Sequence, residues 1–390
     1  MDKEQTLFRL TGQVQHYDWG GYNFIPDLLG ISNVSHKPFA EYWLGSHPLL
    51  PSYFLRNDQP VPLHQAASLP YLLKVLDVRD MLSIQVHPSK KAAEIEFARE
   101  NNEKIPLNAP NRNYRDDNHK PELALALDDF RLLHGFKKKD ELVKIMKAVP
   151  EFDGLLAVLL QHGYEELYKT VMGMPQEKVN EILQPLLQRI IPVYQKGSSQ
   201  SNEEDYWAAK AALKFNREGN IDRGIFSIYF FNLVCLKKGE AIFQPAGVPH
   251  AYLEGQCVEI MSNSDNVLRG GLTAKHTDVK ELMKHIKCEP LEPVIIKGKL
   301  NSTERVYETT APDFQLSCIT LPAGGKAEIN PVTAEIILML KGNAELSSGE
   351  TLLRLKQGQS AVVFAGHQLI IKATEETELY RASVPDHSSE

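Results

Sequence analysis

The stretch Gly239-Glu-Ala-Ile-Phe-Gln-Pro-Ala-Gly-Val-Pro-His250 decides how the chain reads. Gly239, Pro245, Gly247 and His250 stand in the spacing G-x5-P-x-G-x2-H. It predicts a strand that runs into a tight Pro-Gly turn, because proline fixes φ and glycine accepts a left-handed backbone. The next strand then aims the His250 imidazole inward. A weaker echo, Gly358-Gln-Ser-Ala-Val-Val-Phe-Ala-Gly366, carries His367 but lacks the proline and the later histidine. It predicts a second, related β-sandwich module that is structural and holds no metal.

Outward from these two stretches the pattern changes several times. Residues 1–86 read as β with loops, including the short strands Tyr71-Leu-Leu-Lys-Val-Leu-Asp77 and Leu82-Ser-Ile-Gln-Val86. A charged helix follows Pro88, with Ser89 as its cap. The polar run from Pro106 to Glu122 is a loop long enough to suggest function. Between 137 and 218, spaced apolar residues predict helices at 140–148, 163–172, 176–194 and 203–215. From Gly224 strands return, at Ile225-Phe-Ser-Ile-Tyr-Phe-Phe231, 240–244 and 257–261, interrupted by a helix over 278–287. Gly324, Gly342, Gly349, Gly358 and Gly366 punctuate a third β-rich region, as in a meander or jelly roll.

Composition sets the bounds. The 390 residues are 43% hydrophobic and 24% charged, which suits two or three folded domains without disulfide or metal staples. Cys235, Cys257, Cys288 and Cys318 lack zinc-knuckle spacing and read as buried, reduced thiols. A net charge of -7 argues against nucleic acid as a partner, yet allows a local cationic seat for phosphate. Met1 to Gln5 has no apolar leader core, and the most apolar stretch, 225–236, is too short to span a bilayer. The expectation is a cytoplasmic monomer with no membrane partner.

His250 needs partners from other strands to hold a metal. Gln85 and His87 are two apart and so share a strand face. Glu122 follows Pro121 just before the apolar run Leu123-Ala-Leu-Ala-Leu127. Two imidazoles, a carboxylate and an amide oxygen suit zinc or another divalent first-row ion, with positions left open for water or substrate. The His250 spacing itself resembles the second metal motif of the cupin superfamily.

Further pieces fall in one order along the chain. They are Tyr17-Asp-Trp-Gly20, Glu41-Tyr-Trp-Leu-Gly-Ser-His-Pro48, the two strands at 71–77 and 82–88, Asn118-His-Lys-Pro-Glu122 and the run from Pro249 to Lys275. With them the chain closely resembles the type I mannose-6-phosphate isomerase (phosphomannose isomerase) family. Asp18, Ser262 and Gly270 stand where alanine is common in that family, and none is a proposed ligand. The resemblance implies a mainly β fold with a helical insertion: two cupin-like jelly-roll β-barrel domains plus an α-helical domain. The expected division is a catalytic cupin-like domain from 1–136 with 219–290, a helical domain at 137–218, and a C-terminal cupin-like domain at 291–390 without metal.

The resemblance also implies one divalent metal ion, usually zinc, held by Gln85, His87, Glu122 and His250. The implied reaction interconverts D-mannose 6-phosphate and D-fructose 6-phosphate through a cis-enediol. Arg269 is the expected stabiliser of enediolate charge. The proton carrier stays open among His119, Lys120, Glu259 and Asp265. Ser83, Lys74 and Lys275 are the expected phosphate contacts, and Trp19 and Tyr252 the walls of the sugar pocket. Two other readings stand beside this one: a related cupin sugar-phosphate isomerase or epimerase, and a non-catalytic sugar-phosphate sensor.

Overall fold

The Gly239–His250 stretch folds as strand, turn and strand, and Gly247 takes the left-handed backbone (φ 85°) that its spacing requires. The two strands do not pair with each other. Ala241–Gln244 pairs with Glu122–Ala126. The strand His250–Ser262 pairs along its length with Tyr71–Val78, Glu122–Ala126, Phe130–Phe136 and Gln85–Val86. These observations come from a computed structural model that describes residues 5–385; residues 1–4, which carry most of the leader reading, lie outside it.

The expectation of two jelly-roll barrels is corrected. The chain is a mixed fold of several helices and three sheets, of ten, nine and four strands, and among the described residues no sheet closes into a barrel. In the ten-stranded sheet four strands pair directly with the long strand His250–Ser262, the rest attach outward from those, and no path returns to its start. The register of that strand against Phe130–Phe136 shifts between Tyr252 and Glu254. Such an irregularity bends a strand and lets it serve two layers, so the sheet forks where a barrel would roll up. The nine-stranded sheet is open too, running from Lys299–Asn301 at one edge to Gln59–Pro62 at the other. It builds Leu7–Thr11 in against Ser360–Val363 from the far end of the chain.

The helices at Lys139–Ala148, Asp153–Gly173, Gln176–Gln195 and Glu204–Phe215 occupy the stretch with helical spacing. Ser89 caps Lys90–Asn102, its Oγ accepting the Ala92 N–H at 3.3 Å. Asp278 caps Val279–His285 in the same way through the Glu281 N–H at 2.9 Å. One predicted strand is a helix: Gly224–Phe230 is α-helical and buried at all seven positions, and the strand begins only at Phe231. A run that is apolar on every side has no period with which to choose, and here packing against Phe152 decides it. The strand expected at 82–86 shortens to Gln85–Val86. All four thiols are free, but only Cys257 is buried and Cys235 is exposed. No helix among the described residues is long and apolar enough to cross a membrane.

Candidate metal centre and active-site cleft

Three side chains meet where strands begin or end. Glu122 opens the strand Glu122–Ala126 and lies opposite both Gln244 and Met261. His250 opens its own strand, opposite Gln85 and His134. His87 follows Gln85–Val86, and its carbonyl accepts the Gly247 N–H at 2.9 Å, so the Pro-Gly turn is tied to the neighbouring histidine.

Hydrogen bonds set the tautomers. His87 Nδ1 lies 2.8 Å from the Asn266 carbonyl, and His250 Nδ1 lies 3.1 Å from the Val248 carbonyl. A carbonyl only accepts, so each Nδ1 donates its proton and each ring turns Nε2 inward toward Glu122. Those two Nε2 atoms lie 3.4 and 3.2 Å from the Glu122 oxygens. His87 Nε2 is buried with no hydrogen-bond partner. Burial pulls the His87 pKa down to about 4 in spite of the Glu122 charge, which keeps the ring neutral. For Glu122 burial acts to raise the pKa, but the charge of Lys120, with its Nζ 2.9 Å away, leads the groups that outweigh it and hold the carboxyl well below the ordinary range. Two inward-facing imidazole nitrogens and a carboxylate, with ligand atoms within 4.8 Å of one another, form a donor set that fits one divalent cation.

Beside this centre opens a cleft of about 430 Å³. Gln85 and Lys120 line it and join it to the three donors, Gln85 through the ladder to His250 and Lys120 through Glu122. Trp19, Ser83, Lys74, Asp265, Arg269 and Lys275 line it as well. Arg269 is held opposite Gln85 by the short pairing of Leu268–Arg269 with Gln85–Val86. Burial, then the nearby Arg115, lowers its pKa, and burial with Arg269 nearby lowers that of Lys275.

The remaining candidates are placed differently. Lys74 is buried, 3.1 Å from Glu259 and 3.9 Å from Glu41, and lies over the Trp43 ring. Burial disfavours its charge, yet the two carboxylates outweigh burial and keep it protonated. Glu259 and Tyr252 lie behind the cleft wall, the Tyr252 hydroxyl donating to Glu259 at 2.7 Å. His119 does not line the cleft; its Nε2 lies 2.5 Å from Asp313. Asp265 faces the cleft and lies 3.3 Å from His47 Nε2. Burial acts to raise the Asp265 carboxyl, but the His47 hydrogen bond, with Lys120 and Lys74 nearby, holds it below the ordinary range.

Sequence reasoning did not single out Tyr17, Glu41, Trp43, His47 or Asp313. The first four sit inside the quoted segments 17–20 and 41–48, where Tyr17 stacks on Trp19 and Trp43 donates to Glu41, but the charged partners Lys74 of Glu41 and Asp265 of His47 lie further along the chain. Asp313 gave no signal.

Comparison with known proteins adds the following. The family model for phosphomannose isomerase type I, catalytic domain, matches residues 7–139. The mannose-6-phosphate isomerase of Escherichia coli (strain K12) is 34% identical over 382 residues, covering 92% of this chain and 94% of its own. The Homo sapiens mannose-6-phosphate isomerase is 34% identical over 429 residues, covering 96% and 97%. Among solved structures, mannose 6-phosphate isomerase from Salmonella typhimurium bound to substrate (f6p) and zinc superposes with a TM-score of 0.86. It shares 32% identity across 98% of this chain and 100% of that one.

Proposed function

The chain belongs to the type I phosphomannose isomerase family, its activity is the metal-dependent interconversion of mannose 6-phosphate and fructose 6-phosphate, and we propose how its residues divide that work. One observation carries the reading. Three buried donors with inward-facing ligand atoms stand beside Lys120 at the side of a cleft that also holds Arg269 and Lys275, for which no carboxylate partner is found among the described residues.

His87, Glu122 and His250 hold the ion, with Gln85 beside them as the fourth donor, and zinc is the ion we assign. Bound there, a divalent cation supplies Lewis-acid polarisation of the sugar oxygens. Asp265, ionised and facing the cleft, takes the C2 proton of the open-chain aldose and returns it to C1, while a proton moves from O2 to O1. Lys120 serves as the acid that opens the sugar ring. The Arg269 guanidinium stabilises the negative charge that develops on the enediol oxygens. Lys275 and Ser83 seat the phosphate. Lys74 pairs with Glu41 and Glu259 along the wall, and Trp19 presents an aromatic face to the sugar. His119, Glu259 and Tyr252 receive no proton-transfer role, because they do not line the cleft. We read the protein as a cytoplasmic monomer that works on free hexose phosphate.

Asp265→Asn tests the proton carrier. In deuterated water the wild-type protein should incorporate solvent deuterium at the exchanging carbon. The variant should lose turnover and exchange by about 10²–10⁴-fold while keeping its metal. Wild-type exchange in Asp265→Asn would move the role to Lys120. Binding of sugar phosphate without exchange in the wild type would favour a sensor.

A further inference from the structure

Asp313 comes from the C-terminal strands, which hold none of the three metal donors, yet it bonds to the segment that carries Glu122. It lies in the connection between Glu304–Tyr307 and Gln315–Leu321 of the nine-stranded sheet. Its neighbours Ala311 and Phe314 are buried in the same apolar cluster as Leu123 and Leu125, the strand residues that follow Glu122. Packing therefore fixes Asp313 relative to that strand.

One oxygen of Asp313 accepts two hydrogen bonds, from His119 Nε2 at 2.5 Å and from Ser262 Oγ at 2.6 Å. His119 adjoins Lys120, whose Nζ lies 2.9 Å from Glu122. Ser262 ends the strand that His250 begins, and its N–H donates to the Pro121 carbonyl at 3.2 Å. The carboxylate thus joins the two segments that bring Glu122 to the donors. Both bonds are charge-assisted, about twice as strong as neutral ones.

We propose that Asp313 is a positioning residue that fixes the His119-Lys120-Pro121-Glu122 segment through His119 and Ser262, so that the C-terminal strands set the geometry of the metal centre. The proposal needs Glu122 to be a ligand and does not depend on which residue carries the proton. Partners that orient metal ligands are worth about 10–100-fold in metal affinity.

Zinc affinity of the full-length chain, read by competition with a chromophoric chelator, tests it. Asp313→Ala should bind zinc about 10–100-fold more weakly. Asp313→Asn keeps an oxygen that accepts both bonds and should recover most of the loss. In a double-mutant cycle with His119→Ala, the two losses should not multiply in full, because both variants break the same His119–Asp313 bond. If Asp313→Ala fails to fold, Ser262→Ala removes a single bond and should show a smaller loss of the same kind. Wild-type zinc affinity in the Asp313 or Ser262 variant, an Asp313→Asn as weak as Asp313→Ala, or losses that multiply in full in the cycle would each overturn the proposal.

Discussion

Arg269 and Lys275 face the cleft as cations, and among the described residues neither is paired with a carboxylate. An incoming phosphate or a developing enediolate can therefore pair with them without first displacing an internal partner. Arg269→Ala should keep metal content and melting temperature while losing about 10²–10³-fold in kcat, the usual cost of one oxyanion donor. Metal loss in that variant would give Arg269 a structural role. For Lys275 the charged form is present below its pKa, which burial and Arg269 hold under the ordinary 10.5. KM for the sugar phosphate should thus rise on the alkaline side sooner than an ordinary lysine would allow. Lys275→Arg, with a guanidinium that stays charged, should flatten that rise in a KM-against-pH series. At this scale much was legible. His250 and Gly247 announce themselves by spacing, and Glu122 by its place before an apolar strand. What spacing hides is the partner: nothing near Lys74 in sequence foretells that Glu259 and Glu41 neutralise it, or that His47 holds Asp265.

The long loop after the charged helix is held by specific side chains. Glu100 accepts the N–H groups of Asn113 and Tyr114 at 3.1 and 2.9 Å, and the Tyr114 hydroxyl donates to Glu281 at 2.7 Å. Tyr114→Phe leaves Glu281 short of a donor and should lower stability by about 1–3 kcal/mol, measured by urea unfolding. Burial acts to raise the Glu281 carboxyl, but hydrogen bonds from His285, Lys284 and Tyr114 outweigh it and bring it to about 2. A depressed carboxyl stabilises the fold above its ordinary 4.5, and that contribution is lost as pH falls from 4.5 toward 2. Glu281→Gln should make the melting temperature less sensitive to acid across that window. The helices between 137 and 218 were readable because their apolar residues recur at helical spacing, and the charged helix before the loop because Ser89 caps it. The run 225–231 was not, since a segment buried on all sides carries no period.

The molecule as a whole pairs an early strand with a late one. Leu7, Phe8 and Leu10 are buried in a strand whose partner, Ser360–Val363, lies near the other terminus. Burying each such side chain is worth about 1.5–3 kcal/mol. A fragment ending at residue 290 should therefore melt well below the full chain and bind zinc poorly, as circular dichroism and chelator competition would show. Topology of this kind is the least legible feature, because a strand's sequence records what it buries and not which distant strand it pairs with. Family resemblance supplied two barrels, and the forked strand at 250–262 yields open sheets instead. The central claim is that His87, Glu122 and His250 converge on one divalent ion that the reaction requires. Titrating zinc into chelator-treated, metal-free protein while following fructose 6-phosphate formation tests it most directly. Turnover should start near zero, rise linearly and level off at one equivalent. Full turnover before any zinc is added, or a plateau only at two equivalents, would contradict the account.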